Sequence, residues 1–146
     1  MKGILVRVNR AEVIVEDKIT VSMGKGIVFF VGIGKSDTQS VLADMADRIV
    51  NLRIFEDTTE KLNYSIKDTG YEILCVPNFT LYANMTKGRR PSFDDSMPKA
   101  SAKDLFNRFI EELKSRSVEV KAGAFGKHMN VRLEADGPVN LILGGI

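Results

Sequence analysis

The chain has 146 residues, 44% hydrophobic and 27% charged, with a formal net charge of +2. That length suits one domain with a sizeable buried core, and the near balance of charge excludes polyanion binding through overall charge, so such a site must be local. One cysteine excludes an intrachain disulfide framework, and one cysteine with one histidine cannot form an ordinary zinc set.

The first ten residues, MKGILVRVNR, reach Arg7 after four apolar positions. That is too short for a signal-peptide core, and no stretch approaches the length of a membrane span. The expectation is a soluble, cytoplasmic protein. Residues 2–8 and 12–15 read as strands, with Glu16-Asp17-Lys18 as a turn into Ile19-Thr20-Val21. Arg7 interrupts the apolar run. It is either an edge-strand arginine on the wet face or a guanidinium anchoring nearby carbonyls, and the residues alone favour the first.

Ile27–Ile33 is a buried-strand run. Gly34-Lys35-Ser36 behind it fails the phosphate-loop test, because Phe29 stands where that loop needs a glycine. The dinucleotide pattern from Gly32 fails at Asp37 in the same way. These glycines read as a strand-to-helix turn, with Asp37 capping a helix to about Leu52 whose core stripe is Val41, Leu42, Met45 and Ile49. A short strand at 53–55 and turns at Asp57–Glu60 and Asp68-Thr69-Gly70 lead into strand Tyr71–Val76.

That strand opens the stretch Cys75–Phe93. It breaks at Pro77, is expected to re-form as a strand at Phe79-Thr80-Leu81-Tyr82, and ends in a loop carrying Lys87, Arg89 and Arg90. A hydroxyl and an amide at a strand break, followed by three cations, suggest a polyanionic substrate with chemistry beside it. The plainer reading makes Thr80 an ordinary strand residue, Asn78 a cap and the cations a solvated face. Ser101 to about Arg116 is a second helix, with Leu105, Phe106, Phe109, Ile110 and Leu113 at helical spacing. Strands 118–120, 129–133 and 139–143 follow, the last two separated by a turn at Asp136-Gly137-Pro138. About eight short strands and two main helices argue a single α+β domain over 1–146, built on an antiparallel, barrel-like sheet.

Catalytic groups are scarce. His128 stands alone, and Cys75 sits inside an apolar strand as an inert small hydrophobe. No carboxylate pair, nucleophile–base spacing, metal set or cofactor motif is present. An enzyme so equipped would use backbone dipoles and hydroxyls on an activated substrate such as an ester. Asn78, Thr80 and the N–H groups around Phe79 could supply oxyanion donors, each worth on the order of 3 kcal/mol. Phe93 and Phe125 offer surfaces on which a base could stack.

Taken together, RVNRAEV at 7–13, GKGIVFFVGI at 24–33, LRIFED at 52–57, NFTLYA at 78–83, KGRRPSF at 87–93, FGKHMNVRLEADGPVN at 125–140 and the short apolar C-terminus resemble the D-aminoacyl-tRNA deacylase family. The resemblance covers nearly the whole chain. It implies a cofactor-free homodimer that hydrolyses the ester joining a D-amino acid to the 3′-terminal adenosine of tRNA, with no membrane or DNA partner. It implies a cis Gly137-Pro138 pair that enters the partner's pocket and excludes L side chains by clash, so that glycine, as in glycyl-tRNA mischarged on tRNA-Ala, would pass. It assigns Arg7 to bracing that pair, Phe79, Phe125, Gly126 and Met129 to the adenosine and aminoacyl pocket, and a positioning role to Thr80, the vicinal ribose hydroxyl helping to activate water. It leaves Lys87, Arg89 and Arg90 for the tRNA. The family's Ser-Gln is Pro77-Asn78 here, and its Asn-x-Gly-Pro-x-Thr is Ala135-Asp136-Gly137-Pro138-Val139-Asn140. These departures motivate one alternative, a related deacylase with altered chirality acting on glycine or small L-amino acids; a second, from a different class, is a non-catalytic module that binds tRNA ends.

Overall fold

The computed structural model describes residues 1–144, so the last two residues of the apolar C-terminus lie outside the described residues. Strand β1 (Lys2–Val15) is the spine of the fold. It pairs along its length with β8 (Asn130–Gly144) on one side. On its other side its first half pairs with β3 (Gly26–Gly32) and its second with β2 (Lys18–Met23), all antiparallel. Beyond β3 the sheet continues through β6 (Glu72–Pro77) and β7 (Glu119–Ala122). These last pairings are parallel, so the barrel-like sheet is mixed rather than antiparallel throughout. Parallel neighbours need long crossovers. Helices α1 (Gln39–Asn51) and α3 (Lys99–Lys114) lie within the two crossovers, between β3 and β6 and between β6 and β7. A two-stranded ribbon of β4 (Phe55–Glu56) and β5 (Leu62–Tyr64) sits apart.

The two faces of β3 explain its unbroken apolar run. Ile27, Phe29 and Val31 face the helices, packing with Leu42, Ile49, Phe109 and Leu113. Val28 faces a second cluster with Val6, Val8, Leu74 and Val76. A strand covered on both sides has no polar positions to alternate with, and burying each such side chain is worth roughly 1.5–3 kcal/mol. In β1 the second cluster takes Val6 and Val8, then Ala11 and Val13. That change of parity falls where the β1–β8 register shifts between Val8 and Arg10, as an inserted residue requires.

Four expectations are corrected. Phe79–Tyr82 is a 3₁₀ turn, not a strand, because Asn78 caps it with its side chain. Asp136-Gly137-Pro138 is no turn between two strands but lies inside continuous β8. The Asp68-Thr69-Gly70 turn is the end of a short helix, α2 (Ile66–Thr69), begun by a reciprocal Ser65–Asp68 capping box. Thr38, not Asp37, occupies the N-cap of α1.

Candidate functional site

A cleft of about 690 Å³ opens where β3 and β6 end and α3 begins. Its volume lies within the range of small-ligand sites. Val31, Ile33, Met97 and Phe106 contribute apolar lining, and Asn78, Phe79, Phe93 and Met129 line it together with the segment Phe125–His128. Phe79 stands edge-on to Phe93 with ring centres 4.9 Å apart, and Phe125 packs on Phe106 at 5.7 Å. Phe79 is 58% exposed, leaving much of its ring open to the cleft and solvent.

Asn78 leaves β6 in an extended conformation, and its amide oxygen accepts from both the N–H and the hydroxyl of Thr80. The Thr80 proton is therefore committed to Asn78, and only lone pairs of that oxygen remain for a ligand. Tyr82 closes the turn against Gly34, its hydroxyl donating to Asp37 at 3.4 Å. Asp37 also accepts from the Gly34 N–H at 2.7 Å and from the amino group of Met1. Burial, reinforced by the Asp37 carboxylate, pushes the Tyr82 phenol from 10.0 up to about 12. A raised folded-state value means that Tyr82 supports the fold fully below pH about 10 and loses that contribution as pH climbs towards about 12. Alkaline denaturation should show this step in the wild type, and Tyr82→Phe should remove it.

Arg7 is only 4% exposed, so the anchoring alternative describes it and the wet-face reading is overturned. Its Nη1 donates to the Ile54 carbonyl at 2.7 Å, and its Nε lies 3.3 Å from the Asp136 carbonyl and 3.1 Å from the Asp136 carboxylate. Glu56 approaches Nη2 at 3.5 Å. The pairing of β1 with β8 explains the arrangement. Val6 faces Asn140 and Val8 faces Ala135, so Arg7 alone stands opposite residues 136–139. The surplus chain of β8 is held by the guanidinium. Within it the Gly137-Pro138 peptide is cis, and Gly137 has φ +118°, where a side chain is strained. A Cβ there would also lie 3.1 Å from Arg7 Nη2.

A family model described as D-Tyr-tRNA(Tyr) deacylase matches residues 4–144. The chain belongs to that family. A D-aminoacyl-tRNA deacylase of Thermodesulfovibrio yellowstonii is 47% identical over 143 residues, covering 98% of each protein. A solved structure described as a c-Myc DNA unwinding element binding protein superposes with TM-score 0.93 at 39% identity, covering 100% of this chain and 99% of the other. Another, described as a probable eukaryotic D-amino acid tRNA deacylase, superposes at 0.83 with 20% identity over 97% of each chain, a likeness of fold.

On this deacylase-family scaffold, Asn78, Phe79, Phe125, Gly126 and Met129 meet in one cleft. Thr80 touches that site through Asn78 rather than lining it. Gly137, Pro138 and Arg7 do not line the cleft of their own chain. Lys87, Arg89 and Arg90 are exposed on a small hairpin closed by reciprocal bonds between Asn84 and Ser92, whose exit residue Phe93 reaches the cleft. Among the described residues no group of three or more His, Cys, Asp or Glu is placed to hold a metal, and no helix is long and apolar enough to cross a membrane. Burial raises the Cys75 thiol far above its ordinary value, which keeps it unreactive. Sequence reasoning missed Lys99 and Lys127 as lining residues and left His128 without a place. The signal available was the run Phe125-Gly126-Lys127-His128, an aromatic and a glycine followed by two basic side chains.

Proposed function

We propose that this chain hydrolyses the ester between a D-amino acid and the 3′-terminal adenosine of tRNA, acting as a homodimer in the cytoplasm. The observation that carries the reading is the aromatic cleft bordered by the capped turn at Asn78 and Phe79, in a chain of the deacylase family. An unstacked 3′ end can insert its base into such a cleft, whereas a duplex of DNA or RNA cannot. Phe79, Phe125, Gly126 and Met129 hold the adenosine and aminoacyl group. The Phe79 N–H at the turn faces the developing oxyanion, the Thr80 N–H being engaged with Asn78. Thr80 positions rather than attacks, since its proton is engaged by the Asn78 amide oxygen and its hydroxyl donates to no base among the described residues. The ribose hydroxyl beside the ester assists water. Lys87, Arg89 and Arg90 meet phosphates farther along the tRNA.

The site is completed by a second copy. Gly137 and Pro138 are exposed on their own chain and held from behind by Arg7, a rigid backbone edge suited to enter the partner's cleft. A D side chain points away from that edge and an L side chain meets it, which is selection by exclusion. Glycine has nothing to exclude, so glycyl-tRNA mischarged on tRNA-Ala is a further substrate. In assays with pure protein, D-Tyr-tRNA should be hydrolysed about 100-fold faster than L-Tyr-tRNA, a ratio that roughly 3 kcal/mol supplies. Equal rates would replace this reading by a deacylase of altered chirality. Binding of the tRNA end without hydrolysis of any charged form would replace it by a non-catalytic module.

A further inference from the structure

The cleft has a cationic rim that the roles above leave unused. Lys99, Lys127 and His128 all line it, and no aspartate or glutamate does among the described residues. The Lys99 side chain lies across Gly126, its Cε 2.7 Å and its Nζ 3.0 Å from where a Cβ on that residue would stand. Gly126 has φ +73°. The glycine thus lets an ammonium rest directly on the backbone beside Phe125, where a larger residue would push it aside. Neither Lys99 nor Lys127 has a carboxylate within ion-pair distance among the described residues. Lys99 is also the first residue of α3, whose first turn holds no acid, so the helix adds positive potential on the same side.

An apolar, aromatic cleft with an unneutralised cationic rim suits a ligand that is aromatic at one end and anionic at the other. We infer that Lys99 and Lys127, with the ring N–H of His128, bind the phosphate on the 5′ side of the nucleoside held in the cleft. In a tRNA this is the phosphodiester joining the terminal adenosine to the nucleotide before it. The identification of the nucleoside rests on the deacylase reading; the phosphate preference does not. The contact distinguishes a polynucleotide end from a free aminoacyl-nucleoside, which carries no such group. Lys87, Arg89 and Arg90 do not line the cleft and serve other phosphates.

The test is isothermal titration of the intact protein with adenosine and with adenosine 5′-monophosphate at low and high salt. Adenosine 5′-monophosphate should bind roughly tenfold or more tightly than adenosine, as expected of charge-assisted contacts, and the advantage should shrink as salt rises. The double variant Lys99→Gln/Lys127→Gln should lose the advantage and keep the wild-type affinity for adenosine, which also reports that the cleft is intact. With D-Tyr-tRNA it should raise KM about tenfold and leave kcat unchanged. Equal binding of the two ligands by the wild type, no measurable binding of the monophosphate, or an advantage that survives in the double variant would each overturn the proposal. If the advantage is lost as expected but the wild type leaves D-Tyr-tRNA intact, the phosphate site stands and the deacylase reading falls.

Discussion

Replacing Arg7 by methionine is expected to lower stability by about 2–4 kcal/mol and kcat/KM for D-Tyr-tRNA by about two orders of magnitude. Methionine keeps much of the apolar stem and removes the fork. The Ile54 carbonyl then loses a 2.7 Å donor in a buried position, and residue 136 loses contacts from both its carbonyl and its carboxylate. Stability falls because a buried carbonyl is left without a partner. Activity falls for a separate reason. The four residues 136–139 stand opposite Arg7 alone, so their surplus length is held by few other ladder contacts. If this edge is the proposed selector, a shift of about 1 Å leaves it unable to exclude an L side chain or fix a D one, and such displacements cost about 100-fold. Thermal denaturation should show a melting point lower by roughly 5–15 °C. Single-turnover hydrolysis should show discrimination between D and L substrates falling along with rate. Arg7→Lys should recover charge but not the fork, and with it only part of both losses. A destabilised Arg7→Met protein with wild-type rate and discrimination would reduce Arg7 to a packing role.

How much of this was legible beforehand follows from the range of each interaction. The core was readable because its signal is local. The stripes of α1 and α3 and the run Ile27–Ile33 appear as periodicity, and the helices begin and end within about two residues of expectation. The sheet's parallel half was not readable, since apolar strands such as β3 and β6 carry no mark of their direction. Asp136-Gly137-Pro138 has the composition of a turn, and only the partner strand reveals that its extra length is absorbed opposite Arg7. Phe79-Thr80-Leu81-Tyr82 has the composition of a strand, but a side-chain cap from Asn78 overrides the propensity of four residues. Residues alone also favoured the wrong environment for Arg7, because burial of a guanidinium depends on carbonyls 47 and 129 positions away in sequence. Lys99 and Lys127 carry no mark in the sequence that sets them apart from other lysines. Their meaning comes from facing the same cleft across 28 residues of chain, which no local pattern announces.

The turn that carries Phe79 should respond to substitution in an order that separates positioning from attack. Asn78→Ala is expected to reduce kcat by about 100–1000-fold, the scale of a lost oxyanion donor, while Thr80→Val costs roughly tenfold. The single amide oxygen of Asn78 fixes both the N–H and the hydroxyl of Thr80. Without it the 3₁₀ turn loses its cap, worth about 1 kcal/mol, and the backbone N–H of Phe79 loses its orientation. Valine at position 80 removes one of the two bonds to Asn78 and keeps the N–H contact that sets the turn. Thr80→Ser should hydrolyse at nearly the wild-type rate. A nucleophilic Thr80 would reverse the order: Thr80→Val would then be inactive, with losses near a millionfold, and Asn78→Ala would retain most activity. Asn78→Asp sharpens the comparison. It preserves the acceptor that caps the turn, but replaces the amide N–H group with negative charge on the cleft wall proposed to face the substrate carbonyl. Its melting point should match the wild type while its kcat falls with Asn78→Ala. That pattern would show that this side chain acts on the reaction as well as on the turn, despite being one methylene shorter than the family's glutamine.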